Sequence, residues 1–140
     1  MRSLCILLLA TLSLSAEKKV IAPPEIPASP NFSPAILVDG TLYVSGQIGQ
    51  DLKTKQVPAE FEAEVKTVLS NIGIVLKAGG MDYKDVVSVQ VYLTDMDLFP
   101  RMNTVYQTFF KEPRPTRTTV GVTKLAAPTA HIEVTVTARK

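Results

Sequence analysis

The chain has 140 residues, 46% of them hydrophobic and 20% charged, with 15 basic and 13 acidic side chains and a formal net charge of +2. That length makes one domain with a sizeable core. A near-neutral, mixed-charge chain with no repeat and no basic stripe carries no footprint for nucleic acid.

The N-terminus differs from the rest. Met1-Arg2-Ser3 is a positive start, Leu4–Leu14 is almost wholly apolar, and Ser13-Leu14-Ser15-Ala16 offers small residues before polar Glu17-Lys18-Lys19. This layout reads as a secretory signal peptide over residues 1–16 followed by a domain over 17–140, and it predicts an exported protein, periplasmic or secreted, against a cytoplasmic alternative. The run is shorter than the roughly 20 residues a membrane span needs, so no membrane association is expected after cleavage. Loss of the leader removes Arg2 and Cys5 and leaves 14 basic against 13 acidic residues. A mature chain without cysteine excludes disulfides, thiolate metal sites and a cysteine nucleophile, and the domain must stand on its core alone.

From Glu17 to Pro34 the chain carries Pro23, Pro24, Pro27, Pro30 and Pro34. Proline removes backbone donors and fixes φ, so this stretch predicts an extended arm over the domain surface, with a short strand at Lys19–Ala22. Asp39-Gly40 between β-rich runs predicts a hairpin. In its second strand Leu42 and Val44 share one face while Thr41, Tyr43 and Ser45 share the other, and Gly46-Gln47-Ile48-Gly49 is expected to leave the sheet.

Pro58 opens a predicted helix to about Ala78, with Phe61, Val65, Val68, Leu69, Ile72, Val75 and Leu76 at helical spacing and Gly79-Gly80 closing it. Glu60, Glu62 and Glu64 suit the positive end of its dipole. A strand follows over Asp85–Thr94, with Val87, Val89, Val91 and Leu93 on one side and Ser88, Gln90, Tyr92 and Thr94 on the other. Asp97 is positioned to cap a second helix with Pro100 in its first turn and a stripe of Leu98, Met102, Val105 and Phe109. Two further strands, Pro115–Val122 and His131–Ala138, are rich in β-branched residues. A hairpin around Ala126–Thr129 would pair them and bring Arg117 and Thr119 to the same face as Glu133.

The order of elements predicts an α+β two-layer sandwich: a mixed sheet of four to six strands with two helices on one face. The opposite face would collect Thr41, Tyr43, Ser45, Ser88, Gln90, Tyr92, Arg117, Thr119, Glu133, Thr135 and Thr137. It is polar but poor in lysine, which suits a wet interface or pocket in a symmetric oligomer. Two readings of Arg117 and Glu133 are open at this point. One is a salt bridge on a solvated face; the other is a guanidinium fork for a substrate carboxylate beside a carboxylate able to move protons. A single His131 and scattered acids give no metal-ligand spacing.

Ser45-Gly46-Gln47, Asn103 with Tyr106 and Phe109-Phe110, the Pro-x-Arg of Pro115-Thr116-Arg117, and Ile132-Glu133-Val134 stand in the order and spacing of the reactive intermediate deaminase family (RidA/YjgF, also called the L-PSP endoribonuclease family). The chain resembles that family over about residues 18–140. The resemblance implies a chorismate-mutase-like fold, a homotrimer with sites in the clefts between subunits, and no cofactor. It implies hydrolysis of 2-imino or enamine acids, such as 2-aminoacrylate, to 2-keto acids and ammonia. By the same resemblance Arg117 binds the carboxylate, Glu133 positions or activates water, Ser45 joins them as a catalytic residue, and Gly46, Thr119 and Asn103 line the pocket. Phe32 stands where the family has a tyrosine whose hydroxyl would reach the site. The alternatives are an L-PSP-type endoribonuclease, with His131 as one of its acid-base groups, and a non-catalytic trimer that holds a small carboxylate.

Overall fold

The computed structural model describes residues 16–140. The leader read over residues 1–16 lies, but for Ala16, outside them. The elements are β1 (Lys19–Ile21), β2 (Ala35–Val38), β3 (Thr41–Ile48), α1 (Phe61–Ala78), β4 (Val86–Leu93), α2 (Phe99–Phe109), β5 (Thr116–Gly121) and β6 (Ile132–Arg139), with 3-10 turns before β4 and α2. They form one six-stranded mixed sheet in the order β1-β2-β3-β6-β4-β5, with both helices on one face. Among the described residues, no helix is long and apolar enough to cross a membrane.

The β2–β3 hairpin forms where Asp39-Gly40 directs it. Both residues take positive φ, 47° and 71°, the geometry of a two-residue turn that suits the twist of its strands. The apolar stripe of α1 is buried throughout, from Phe61 to Leu76. It packs on Leu42, Val44, Val89, Val91, Leu93, Ile132, Val134, Val136 and Ala138. Burial of about ten branched or aromatic side chains at roughly 1.5–3 kcal/mol each is the main favourable term for this two-layer arrangement.

Several local expectations change. The helix starts at Phe61 rather than Pro58. Asp95, not Asp97, makes the cap: its carboxylate accepts from the Asp97 N–H at 2.9 Å, and a 3-10 turn leads into α2, with Pro100 in its first turn as expected. The short strand expected at Lys19–Ala22 forms over Lys19–Ile21 and pairs antiparallel with β2 at the edge of the sheet. Strand β3 does not end at Gly46. It continues to Ile48 through an irregularity between Val44 and Gln47, where its register on β6 shifts. A similar shift between Val86 and Ser88 turns Val86 into the core and leaves Val87 49% exposed.

The largest correction concerns the last two strands. They do not form a hairpin: β4 lies between them, parallel to β5 and antiparallel to β6. Strand β6 also separates β3 from β4, so each long crossover leaves a slot. The most regularly apolar strand takes the central slot, with Ile132, Val134, Val136 and Ala138 all at most 2% exposed.

Candidate active site

Register assigns each polar side chain to a face. On the open face, away from the helices, Glu133 lies opposite Tyr92 and Ile48, Thr135 opposite Gln90, and Thr137 opposite Tyr43 and Ser88. On β5, Arg117 is opposite Val89 and Thr119 opposite Val91. Both valines are buried against the helices, and directly paired residues share a face. Arg117 and Thr119 therefore point to the helix side, not to the face that holds Glu133. The expected intrachain Arg117–Glu133 pair does not exist. The two residues lie on opposite sides of the sheet, two strand positions or roughly 10 Å apart across it.

Arg117 is held by aromatic rings. Its guanidinium carbon is 4.5 Å from the centre of the Tyr106 ring and 5.5 Å from that of Phe99, within the range of a cation–π contact. Both rings come from α2, one at each end of two turns, so the helix fixes the guanidinium from below. Among the described residues Arg117 takes part in none of the ion pairs, which join Arg101–Glu62, Arg114–Glu112, His131–Glu64 and Lys140–Asp85. It faces a cavity of about 370 Å³ lined by Asn103, Tyr106, Gln107, Arg114 and Pro115. Tyr106 is 5% exposed, and its hydroxyl and that of Thr119, on the same face, are buried without a hydrogen-bond partner among the described residues. Burial pushes the Tyr106 phenol up, against the pull of the Arg117 and Arg114 charges. A positioned guanidinium with no ion pair among the described residues, at the wall of a small polar cavity, has the chemistry to receive a carboxylate.

Glu133 lines a second cavity of about 380 Å³ with Gly46, Tyr92, Lys124 and Thr135. Gly46 makes room for it: a Cβ at that position would stand 2.0 Å from Glu133 Oε1. The Thr135 hydroxyl donates to the Val44 carbonyl beside the irregularity in β3. Ser45 is occupied locally. Its N–H donates to the Pro34 carbonyl at 2.9 Å and its hydroxyl to the Ser33 carbonyl at 2.7 Å, which stitches the proline-rich arm to β3. Phe32, on that arm, is 58% exposed.

The predicted residues thus fall into groups. Asn103 and Arg117 share one cavity, Gly46 and Glu133 share the other, Thr119 lies beside the first on β5, and Ser45 and Phe32 sit where the arm meets β3. Three contributors went unread in the sequence, Phe99 beneath Arg117, Lys124 beside Glu133, and Arg114, and Tyr106 was read only as a motif residue with no role at the site. The seven-residue spacing of Phe99 and Tyr106, which puts them on one helix face, was an available signal. Glu64 is the other surprise. It is fully buried, not a solvated dipole partner, and its carboxylate accepts from the His131 N–H at 2.7 Å and the Ile132 N–H at 3.3 Å and meets His131 Nδ1 at 2.8 Å. His131 is thereby engaged in fixing the start of β6. Among the described residues no group of three or more His, Cys, Asp or Glu side chains is placed to hold a metal ion.

The profile of the endoribonuclease L-PSP family matches residues 23–140. The chain is 42% identical over 110 residues to 2-iminobutanoate/2-iminopropanoate deaminase of Rattus norvegicus, a match that covers 77% of this chain and 80% of that protein. Among solved structures, the conserved Rid family protein YyfA of Yersinia pestis superposes with a TM-score of 0.84 at 31% identity, over 89% of this chain and all of the other. Escherichia coli TdcF with bound serine superposes with a TM-score of 0.81 at 27% identity, over 87% of this chain and 98% of the other.

Proposed function

Because this chain belongs to the endoribonuclease L-PSP family, also called the RidA/YjgF family, we propose that it is a hydrolytic deaminase of 2-imino and enamine acids, with its site shared between subunits. The observation that carries the reading is the Arg117 guanidinium, seated on Tyr106 and free of any ion pair among the described residues, beside a cavity of small-molecule size. A relative of 42% identity bears the name of such a deaminase, and a solved relative holds serine, which presents the same α-carboxylate.

In the proposed reaction Arg117 grips the substrate carboxylate by two parallel N–H donors. Water adds to the imine carbon, and Glu133 takes its proton and passes it to the nitrogen, which leaves as ammonia and yields the 2-keto acid. Holding substrate and water together lowers the entropic part of the barrier. Asn103 and Thr119 belong to the Arg117 half of the site, and Gly46, Ser45 and Phe32 to the Glu133 half.

The two halves face opposite ways in one chain, so they meet when the Arg117 half of one subunit seats against the Glu133 half of the next. A head-to-tail contact closes as a ring when its rotation completes a turn; we take that ring to be a homotrimer with three sites. The apolar leader over residues 1–16 further suggests export of the mature domain.

Subunit mixing tests the shared site. Arg117→Ala and Glu133→Gln chains are each expected to be inactive on imines made in situ from 2-aminobutyrate. Random co-assembly in equal amounts should restore about a quarter of the wild-type rate, because one junction in four joins an intact Arg117 to an intact Glu133. Light scattering gives the number of subunits. No recovery on mixing would place the site within one chain and overturn the arrangement.

A further inference from the structure

The cavity that holds Arg117 contains a second cation. Arg114 lies on its wall beyond Pro115, and the remaining lining residues, Asn103, Tyr106, Gln107 and Pro115, carry no negative charge. Both guanidiniums pull the Tyr106 phenol down against its burial, and both line this cavity. Arg114 has a partner in Glu112, but that carboxylate is 72% exposed and the guanidinium 47% exposed. An ion pair so open to water contributes little and exchanges readily. A single α-carboxylate satisfies Arg117 alone. Beside the Tyr106 ring and Pro115, the rest of the cavity presents two amides and a second guanidinium, and a methyl or ethyl side chain would leave those polar groups unpaired, which costs binding.

We infer that this site selects imino acids with a second carboxylate, of the 2-iminosuccinate and 2-iminoglutarate class, with Arg117 on the α-carboxylate and Arg114 on the distal one. The inference rests on the deaminase reading for its chemistry and on the cavity alone for its selectivity. Glu112 acts as a stand-in for the distal carboxylate and swings away when the ligand enters. Hydrolysis is otherwise unchanged: water adds, ammonia leaves, and the product is a 2-keto dicarboxylate.

The experiment has two arms. In the first, dicarboxylic and monocarboxylic imines are generated in situ by amino-acid oxidases from aspartate or glutamate and from alanine or 2-aminobutyrate, and loss of imine is followed against semicarbazide trapping. The ratio of kcat/KM for the two classes should favour the dicarboxylates. It should fall about tenfold in Arg114→Gln, mainly through KM, as expected for loss of one charge-assisted contact. It should rise in Glu112→Gln, which frees Arg114. A ratio that moves in neither variant overturns the inference. The second arm needs no turnover: calorimetry compares 2-oxoglutarate, 2-oxobutyrate and inorganic phosphate on the wild type and Arg114→Gln. Tighter binding of 2-oxoglutarate that depends on Arg114 supports the selectivity even if no imine is hydrolysed, in which case only the deaminase reading fails. Equal affinity for the two keto acids, or phosphate binding as tight as 2-oxoglutarate, overturns it.

Discussion

Glu64 offers a sharp test of how the fold positions the Glu133 half of the site. It sits in the first turns of α1, is fully buried, and receives two backbone N–H groups and the ring of His131 at the start of β6. Replacing it by alanine leaves the N–H groups of His131 and Ile132 without their acceptor. Each unsatisfied buried donor costs about 1–3 kcal/mol, and loss of the carboxylate also empties part of the helix–sheet contact. The carboxylate's own desolvation is relieved in return, so the net loss should be about 2–4 kcal/mol, set by the two backbone donors. Glutamine keeps the shape: its oxygen still accepts from both backbone groups and its amide can donate to Nδ1 of His131 in the ring's other tautomer, so the loss should be about 1 kcal/mol. The His131 side chain is half exposed, and its replacement by alanine should cost less than Glu64→Ala. Urea unfolding reads these values from the shift in midpoint, and one protein concentration for all variants holds any contribution from subunit association constant. A Glu64→Ala variant within 1 kcal/mol of the wild type, or one no worse than Glu64→Gln, would refute the idea that the carboxylate is held for its backbone donors.

Gly46→Ala should leave the fold within about 1 kcal/mol of the wild type, because the new methyl meets the end of a flexible side chain rather than backbone. It should nevertheless abolish imine hydrolysis by driving the Glu133 carboxylate aside; a chain that melts normally and stays active would show that Glu133 need not occupy that position. Alkaline stability should depend on Tyr83, whose hydroxyl donates to the Leu69 carbonyl at 2.8 Å. Burial, with Asp82 adding to it, pushes this phenol up to about 12. The unfolded chain loses that proton near pH 10 while the folded chain keeps it, so this contribution is complete below pH 10 and is lost as pH rises toward 12. Melting temperatures in Tyr83→Phe should fall less steeply across that window than in the wild type.

Much of the fold was legible because local signals agreed with the global arrangement. Asp39-Gly40 demanded its hairpin, every apolar residue of the predicted α1 stripe is buried, and the alternation in β6 gave it one wholly apolar face for the helices to cover. Neighbour relations were less legible. Nothing in Pro115–Val122 or His131–Ala138 says that another strand will come between them, since pairing partners are chosen by the whole sheet and not by the loop that joins two strands. Glu64 was missed for a related reason. Three glutamates at a helix start fit the dipole equally well, and only the approach of the His131 and Ile132 backbone singles one out for burial.

The inverted face of β5 has a physical explanation that bears on assembly. Alternation tells which residues share a face; it does not tell which face the helices cover. In a central strand the apolar side goes to the helices, as Val134 and Val136 do in β6. Strand β5 is an edge, reached by one flank of α2, and there the rings of Phe99 and Tyr106 receive the stem and fork of Arg117 in place of an aliphatic chain. The apolar side of β5 is then left outward, with Val120 40% exposed on the same open face as Tyr43, itself 53% exposed. An open face with a polar pocket around Glu133 and apolar contacts nearby is suited to a second copy of the chain. The inversion of one edge strand accounts for the missing intrachain pair of Arg117 and Glu133, and it is the arrangement that the proposed site shared between subunits requires.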